Sequence, residues 1–209
     1  MQESIGGIFA VPHRRLEGEN TLSMTMFTDL PSDLSEHLRI RETETGGAVF
    51  SIGEKYRYLL RRHLNDEGDG HLIFIMLNPS TADHTEDDQT IRRCKGFAER
   101  GRYEWLSVVN LFAWRSTKPE GLLSVDDPIG EYNDRIIKAS LTTANRVIMA
   151  WGDHGSLLDR SDAVRELLKQ SFHGAYHLGL TNKGEPRHPL FRPYKTTPIW
   201  DERTHPTTT

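Results

Sequence analysis

The chain has 209 residues, 27% of them charged and 36% hydrophobic. That is enough for one domain with a substantial core, and the longest apolar run is far too short to cross a bilayer. The single cysteine, Cys94, excludes an internal disulfide and fits a reducing cytoplasm, while the net charge of −4 gives no global argument for nucleic acid.

Residues 1–45 carry eight acids and four Lys/Arg, which accounts for the whole net charge. They read as a variable acidic leader, partly disordered, and they are expected to lie outside any site. Ile8–Val11 is their one strand-like piece, and Ser32–Arg41 reads as a short helix or lead-in strand. Met1–Ser4 lacks the basic-then-apolar layout of a secretion signal, so a cytoplasmic location is expected.

Residues 46–195 read as a single α/β domain. Ala48–Ser51 and Lys55–Arg61 flank Gly53 and predict a hairpin. Leu72–Leu77 is an unbroken apolar run, as expected of a central parallel strand buried on both faces, and it stops at the turn signal Asn78-Pro79. Thr90 is a suitable N-cap for a helix that carries Ile91, Cys94 and Phe97 on one face and ends at Gly101, which makes Cys94 a core residue. Trp105–Phe112 predicts a second long strand, with Asn110 near its carboxyl end. A helix over Tyr132–Asn145, a strand over Arg146–Ala150, a helix over Ser161–Phe172 and a short strand over Ala175–Leu180 follow. Residues 196–209 read as a loose tail. Apolar strands alternating with amphipathic helices predict a three-layer αβα sandwich around a four-stranded, mostly parallel sheet, with the hairpin added at its amino-terminal side.

In such sheets ligands bind beyond the carboxyl ends of the strands. Four loops should meet there. The first carries Asn78, Pro79, Ser80, Thr81 and Asp83, followed by Asp88. The second follows Asn110 and carries Arg115. The third holds Trp151, Gly152, Asp153 and His154, and the fourth Lys183, Arg187 and His188. Each residue has a plainer role open to it: Asn110 as a backbone partner, Asp88 as a helix-terminus acid, Trp151 as packing, His188 as a satisfied histidine. There is no Gly-rich dinucleotide fingerprint, no phosphate loop of Walker type and no nucleophile elbow, which disfavours a dehydrogenase, a kinase and a serine hydrolase. His84, Asp83, Asp88 and His188 lack paired metal-ligand spacing, so neither metal nor cofactor is expected.

Two resemblances enter on these motifs. Lys55–Leu60, MLNPSTAD over 76–83, DDQTIRRC over 87–94, VVNLFAWRST over 108–117, YND over 132–134, AWG over 150–152 and GEPRHPLF over 184–191 resemble, in order, the signature set of domain-of-unknown-function family 1643. That family carries no settled activity. More remotely, the layout resembles the uracil-DNA glycosylase superfamily. That resemblance implies that Asn78-Pro79 ends the first strand and positions water, that Asn110 reads a base edge, and that His188-Pro189 donates to the base. Leu190 stands where those enzymes usually carry a phosphate-gripping Ser, and no Asp stands at Asn78 as a stronger activator.

The function this implies is hydrolysis of an N-glycosidic bond to a modified or mismatched base. Asn78 and His188 are the first catalytic candidates, and Asp83 or Asp88 a rival water activator. A base in duplex would have to be flipped out, with Leu190 as a candidate wedge. Arg92, Arg93, Arg115, Lys183, Arg187 and Arg192 are candidate phosphate contacts. The partners expected are DNA or nucleotides. Two alternatives stay open: a binding module without turnover, and a hydrolase of free nucleosides or nucleotides. Steep salt dependence of binding would mark the polymer.

Overall fold

The central strand has a neighbour on each side. His71–Met76 (β4) pairs in parallel with Trp105–Asn110 (β5) through Leu72↔Leu106 and Met76↔Asn110, and with Arg146–Met149 (β6) through Phe74↔Ile148. Every residue of β4 is buried. Its side chains alternate between two cores. Ile73 and Ile75 face one, while Leu72, Phe74 and Met76 face the other. A strand sealed on both faces has no polar side to display, which is why it reads as a continuous apolar run.

The structure, a computed structural model, describes residues 26–171 and 174–205. The sheet in them has eight strands, where the sequence suggests four. Leu38–Glu42 (β1), Gly46–Ser51 (β2) and Arg57–His63 (β3) form an antiparallel run, and β3 docks antiparallel on β5 through Leu60↔Val108. Beyond β6 come the parallel Tyr176–His177 (β7) and the antiparallel Ile199–Trp200 (β8). The order is β1-β2-β3-β5-β4-β6-β7-β8. Four of the seven pairings are antiparallel (β1–β2, β2–β3, β3–β5, β7–β8), so the sheet is mixed and the expected four-stranded, mostly parallel sheet is corrected. The hairpin is not an appendage. It continues the hydrogen-bond ladder of β5, and its buried arginines disguise it as polar.

Helices cover both faces. Gln89–Arg100 (α1) buries Ile91, Cys94, Phe97 and Ala98 against the core of Phe74 and Val108. Ile91 and Phe97 each stabilise by roughly 1.5–3 kcal/mol. Burial pushes the Cys94 thiol up, out of reach of nucleophilic use. The cap of α1 is Asp88, which accepts from the Ile91 N–H at 2.8 Å, rather than Thr90. Asn133–Leu141 (α2) and Arg160–Gln170 (α3) cover the other face with Ile136, Ile137, Val164 and Leu167; Phe172 lies outside the described residues. Among the described residues no helix is long and apolar enough to cross a membrane.

At both ends of the described residues the chain is built further into the body than the sequence suggests, although Ser32–Leu34 and β1 match the short helix or lead-in strand expected over 32–41. Ile8–Val11 lies outside the described residues, but residues 26–45 are built into the body. Phe27, Leu34 and Leu38 are buried, and Asp29 holds the Arg61 guanidinium by two bonds of 2.7 and 2.9 Å. The loose tail is likewise corrected as far as His205. β8 closes the sheet edge, and the Thr204 hydroxyl accepts from the Ala175 N–H at 2.8 Å. Gly174 is required here, because the Trp200 ring occupies the space of any Cβ.

Two outcomes follow. Asp29→Ala strands the Arg61 charge in a dry site and should cost about 3 kcal/mol by urea unfolding. Asp33→Ala, which removes an exposed pair with Arg135, should leave the curve nearly unchanged. The second concerns His71, whose ring lies 2.8 Å from Ser107 Oγ and 3.1 Å from Thr143 Oγ1. Burial, then repulsion from Arg61, pushes its pKa down to about 3. The unfolded chain takes up this proton near pH ~6.5 and the folded one does not. Stability should therefore be full above that pH and fall as the pH drops toward 3, and His71→Gln should flatten that slope in a pH series of thermal midpoints.

Candidate functional site

Three parallel strands release the chain at one edge, and a cavity of about 540 Å³ opens there. Met76, Leu77 and Asn78 come from the end of β4, Val108 and Asn110 from β5, and Trp151 and Gly152 from the turn after β6. Asp88, Thr90 and Ile91 come from the start of α1, and His188 and Phe191 from the loop after β7. The volume suits a small organic ligand. A larger concavity of about 670 Å³ lies at the opposite edge of the sheet, around Asp29, Arg61 and His71. Its buried charges are paired with one another, so it offers a ligand less.

Several candidate side chains have one polar atom spent and another left over. Asn78 Nδ2 donates to the Ser116 carbonyl at 2.7 Å and to its neighbour Pro79 at 3.0 Å. Both amide hydrogens are thus used, and Oδ1 remains as an acceptor. His188 Nδ1 accepts from the Leu190 N–H at 3.4 Å, which leaves the hydrogen of a neutral ring on Nε2. Burial lowers the pKa of His188 and the charge of Asp88 pulls it the other way, so the ring is neutral at physiological pH. Asn110 is 1% exposed and its Nδ2 has no partner among the described residues. Such an orphan is rare in a folded interior.

Trp151 is held by a buried carboxylate. Glu185 Oε2 accepts from Trp151 Nε1 and from Arg165 Nη2, both at 2.7 Å, and Oε1 accepts from Ser161 Oγ at 3.1 Å. The Gly152 N–H donates to the Pro186 carbonyl at 2.8 Å. Gly152 has φ +73, a conformation that suits glycine. These bonds tie the third loop to the fourth and place Trp151 and His188 on one wall.

Asn78, Ser80, Asp88, Asn110, Trp151, Gly152 and His188 share the cavity lining; Pro79, Thr81, Asp83, Arg115, Lys183 and Arg187 do not. Asp83 Oδ1 is occupied by Thr85 N, Thr85 Oγ1 and Glu86 N. Burial would raise its pKa, but the bonds from Glu86 and Thr85 outweigh that and hold it at about 2, too low for a base. Arg115 lies over the Phe50 ring at 5.4 Å and donates to the Glu54 carbonyl at 3.3 Å. Lys183 and Arg187 are exposed. Leu190 is half-buried, and the side chain that projects at the rim is Phe191, 81% exposed. Among the described residues no group of three or more His, Cys, Asp or Glu could hold a metal ion.

Sequence reasoning missed Arg57 and Ser116, both of which line the cavity, whereas Asp153 and His154 of the third loop line it as expected. Arg57 opens β3, and an antiparallel strand delivers its first residue to the edge where its parallel neighbours end. Recognising this needs the strand order, which only the three-dimensional structure supplies.

A family model described as "Protein of unknown function (DUF1643)" matches residues 57–190. No curated protein and no solved structure matches the chain.

Glu185→Ala should unpin Trp151 and leave Arg165 short of its buried partner. The expected loss is about 3 kcal/mol in urea unfolding, with a shift of tryptophan emission in the folded baseline. Glu166→Ala, in an exposed pair with Lys169, is the control that should change neither.

Proposed function

The chain belongs to this family of proteins of unknown function, and we propose that it hydrolyses the N-glycosidic bond of a nucleobase-bearing substrate. The observation that carries this is the set of leftover polar atoms in one cavity: an acceptor on Asn78, a donor on Asn110 and a donor on neutral His188. The parallel strands β5, β4, β6 and β7, with helices on both faces, are compatible with the arrangement of the uracil-DNA glycosylase superfamily, although here they lie inside a wider mixed sheet.

In this reading Asn78 Oδ1 accepts from a water and aims its oxygen at the sugar carbon. The water oxygen forms the new bond to that carbon as the carbon–nitrogen bond breaks. The proton given up by the water passes to Asp88 or to bulk water. The departing base takes the electron pair, and negative charge grows on its exocyclic carbonyl oxygen. His188 Nε2–H donates to that oxygen, an interaction that strengthens as the charge develops. Asn110 Nδ2 donates to an acceptor on the base edge. Asp88 and Asp153 are the carboxylates of the cavity lining, and Asp88 is the rival acceptor for the water proton, although its Oδ1 is already used by α1. Phe191 offers an exposed ring for stacking at the rim.

DNA and free nucleotides are both compatible with this chemistry. One observation favours the small substrate. Arg93 lies over the Tyr194 ring at 3.8 Å and donates to the carbonyls of Pro189 and Arg192, while Arg92 donates to the Asp87 carbonyl. These guanidiniums are engaged by the protein itself, which leaves less positive surface for a polymer backbone.

The test is base release, followed chromatographically, on oligonucleotides and nucleotides carrying uracil and modified bases. Asn78→Ala and His188→Ala should each lower the rate about 100-fold or more. Asn78→Ala also loses the bond to Ser116, so its thermal midpoint should fall modestly, while His188→Ala should keep substrate affinity within a few-fold. Release that survives in both variants, or no release from any substrate, would rule out the mechanism.

A further inference from the structure

We infer that Arg57 is the anchor for an oxyanion of the ligand, and, on the nucleobase reading above, that this oxyanion is the terminal phosphate of a free nucleotide.

The inference starts from a contrast among the buried arginines. Arg61 pairs with Asp29 at 2.7 Å, Arg62 with Asp87 at 2.9 Å, Arg165 with Glu185 at 2.7 Å, and Arg160 with Asp134. Arg57 is 2% exposed, yet among the described residues no carboxylate lies within ion-pairing distance of it. Among the described residues one of its five N–H groups is used, from Nη1 to the Ala82 carbonyl at 2.6 Å, and Nε is buried without a partner. A buried charge without a counter-ion is costly, and proteins pair such charges or hold them for a ligand. Burial accordingly pulls the pKa of this guanidinium down to about 10, and Asp88 offsets that only at longer range.

Arg57 is also the buried arginine that lines the cavity of Asn78, Asn110 and His188. The unpartnered Nδ2 of Asn110 lies in the same lining. Two buried, unsatisfied donor groups in one cavity call for a ligand rich in acceptors. A planar guanidinium with free N–H groups matches a phosphate or carboxylate by paired, charge-assisted bonds. Depth selects between phosphate sources. A diester inside a polymer enters and leaves along a groove and stays near the surface. A residue 2% exposed is reached instead by a chain-terminal monoester. Asp88 shares the cavity, but its Oδ1 is held by the Ile91 N–H.

The experiment measures thermal midpoints and calorimetric binding for the wild-type chain with five probes. They are sodium phosphate against sodium chloride at matched ionic strength, ribose 5-phosphate, nucleoside 5′-monophosphates, the parent nucleosides, and a single-stranded oligonucleotide. The expected result is a saturable phosphate shift that chloride does not give, and nucleotides that bind about tenfold or more tighter than their nucleosides. Arg57→Gln should abolish both effects, and Arg57→Lys should keep part of them. The free Arg57→Gln protein should unfold at or above the wild-type midpoint, because the substitution removes an uncompensated buried charge. The inference is overturned if wild type answers phosphate as it answers chloride, if nucleosides bind as tightly as nucleotides, or if Arg57→Gln keeps the nucleotide preference. A free Arg57→Gln protein that unfolds well below wild type would also overturn it, by making Arg57 structural, and an oligonucleotide that outcompetes the monophosphates would overturn the monoester. If phosphate and ribose 5-phosphate bind through Arg57 and the bases add nothing, the oxyanion anchor stands and the nucleobase reading fails. If the nucleosides bind as well as the nucleotides, the reverse holds.

Discussion

The backbone pairing of β4 on both sides is the constraint on which the rest of the structure depends. A strand flanked by two parallel neighbours and two apolar cores has no contact with water, so all its peptide groups must be satisfied within the sheet. The ladder to β5 runs from His71 to Met76 and that to β6 from Leu72 to Ile75, and the Asn145 side chain accepts from the His71 N–H at 2.7 Å. Parallel pairing then imposes a geometry: each strand ends at the same edge and needs a crossover to return. Residues 78, 110 and 151, far apart in sequence, become neighbours around one cavity because of that single requirement.

Outside the parallel strands, the sheet is extended by antiparallel strands held with buried charge. β3 carries Arg57, Arg61 and Arg62, all buried. Arg61 reaches Asp29 and Ser107 on one side, and Arg62 reaches Asp87 and the Asp83 carbonyl on the other. Acids supplied from the leader and from the loop before α1 neutralise the strand on its two faces. Removing either acid leaves a charge in a low-dielectric interior, which costs far more than a surface pair is worth. Arg57 breaks this pattern at the edge where the cavity lies. Stability and recognition pull in opposite directions there, as expected of sites that hold unsatisfied groups for a ligand.

The loop pinned by Glu185 links the two themes. A buried carboxylate takes three donors from Trp151, Ser161 and Arg165, so α3, the strand-end turn and the last loop are fixed against one another. The same loop presents His188 with one ring nitrogen already committed. Positioning by surrounding hydrogen bonds gives a neutral imidazole a defined direction for its remaining proton. Asn78 is oriented in the same way, since its amide nitrogen is consumed by backbone and only its oxygen is left.

The apolar runs of β4, β5 and β6 identified the core strands from the chain alone, because burial on both faces leaves a pattern that needs no partner to be read. Asn78, Asn110, Trp151 and His188 stood out for a related reason, as polar or aromatic residues at the abrupt ends of such runs. The motifs over residues 57–190 also carried the family. What the chain alone did not reveal was the width of the sheet. The hairpin of β2 and β3 is legible, but β3 carries charges whose partners lie 25 or more residues away, as Arg61 does with Asp29 and Arg62 with Asp87, so its place inside the sheet is hidden. β8 has two residues, too few for any period to register, while the run over 175–180 marks β7 but overstates its length. Asp83 and Asp88 look alike in sequence, yet one is consumed by a local turn and the other faces the cavity. Arg57 could be placed in the site only by tertiary structure. Its importance rests on the absence of a counter-ion and on an antiparallel neighbour that brings a strand's first residue beside the last residues of others, and both are properties of packing.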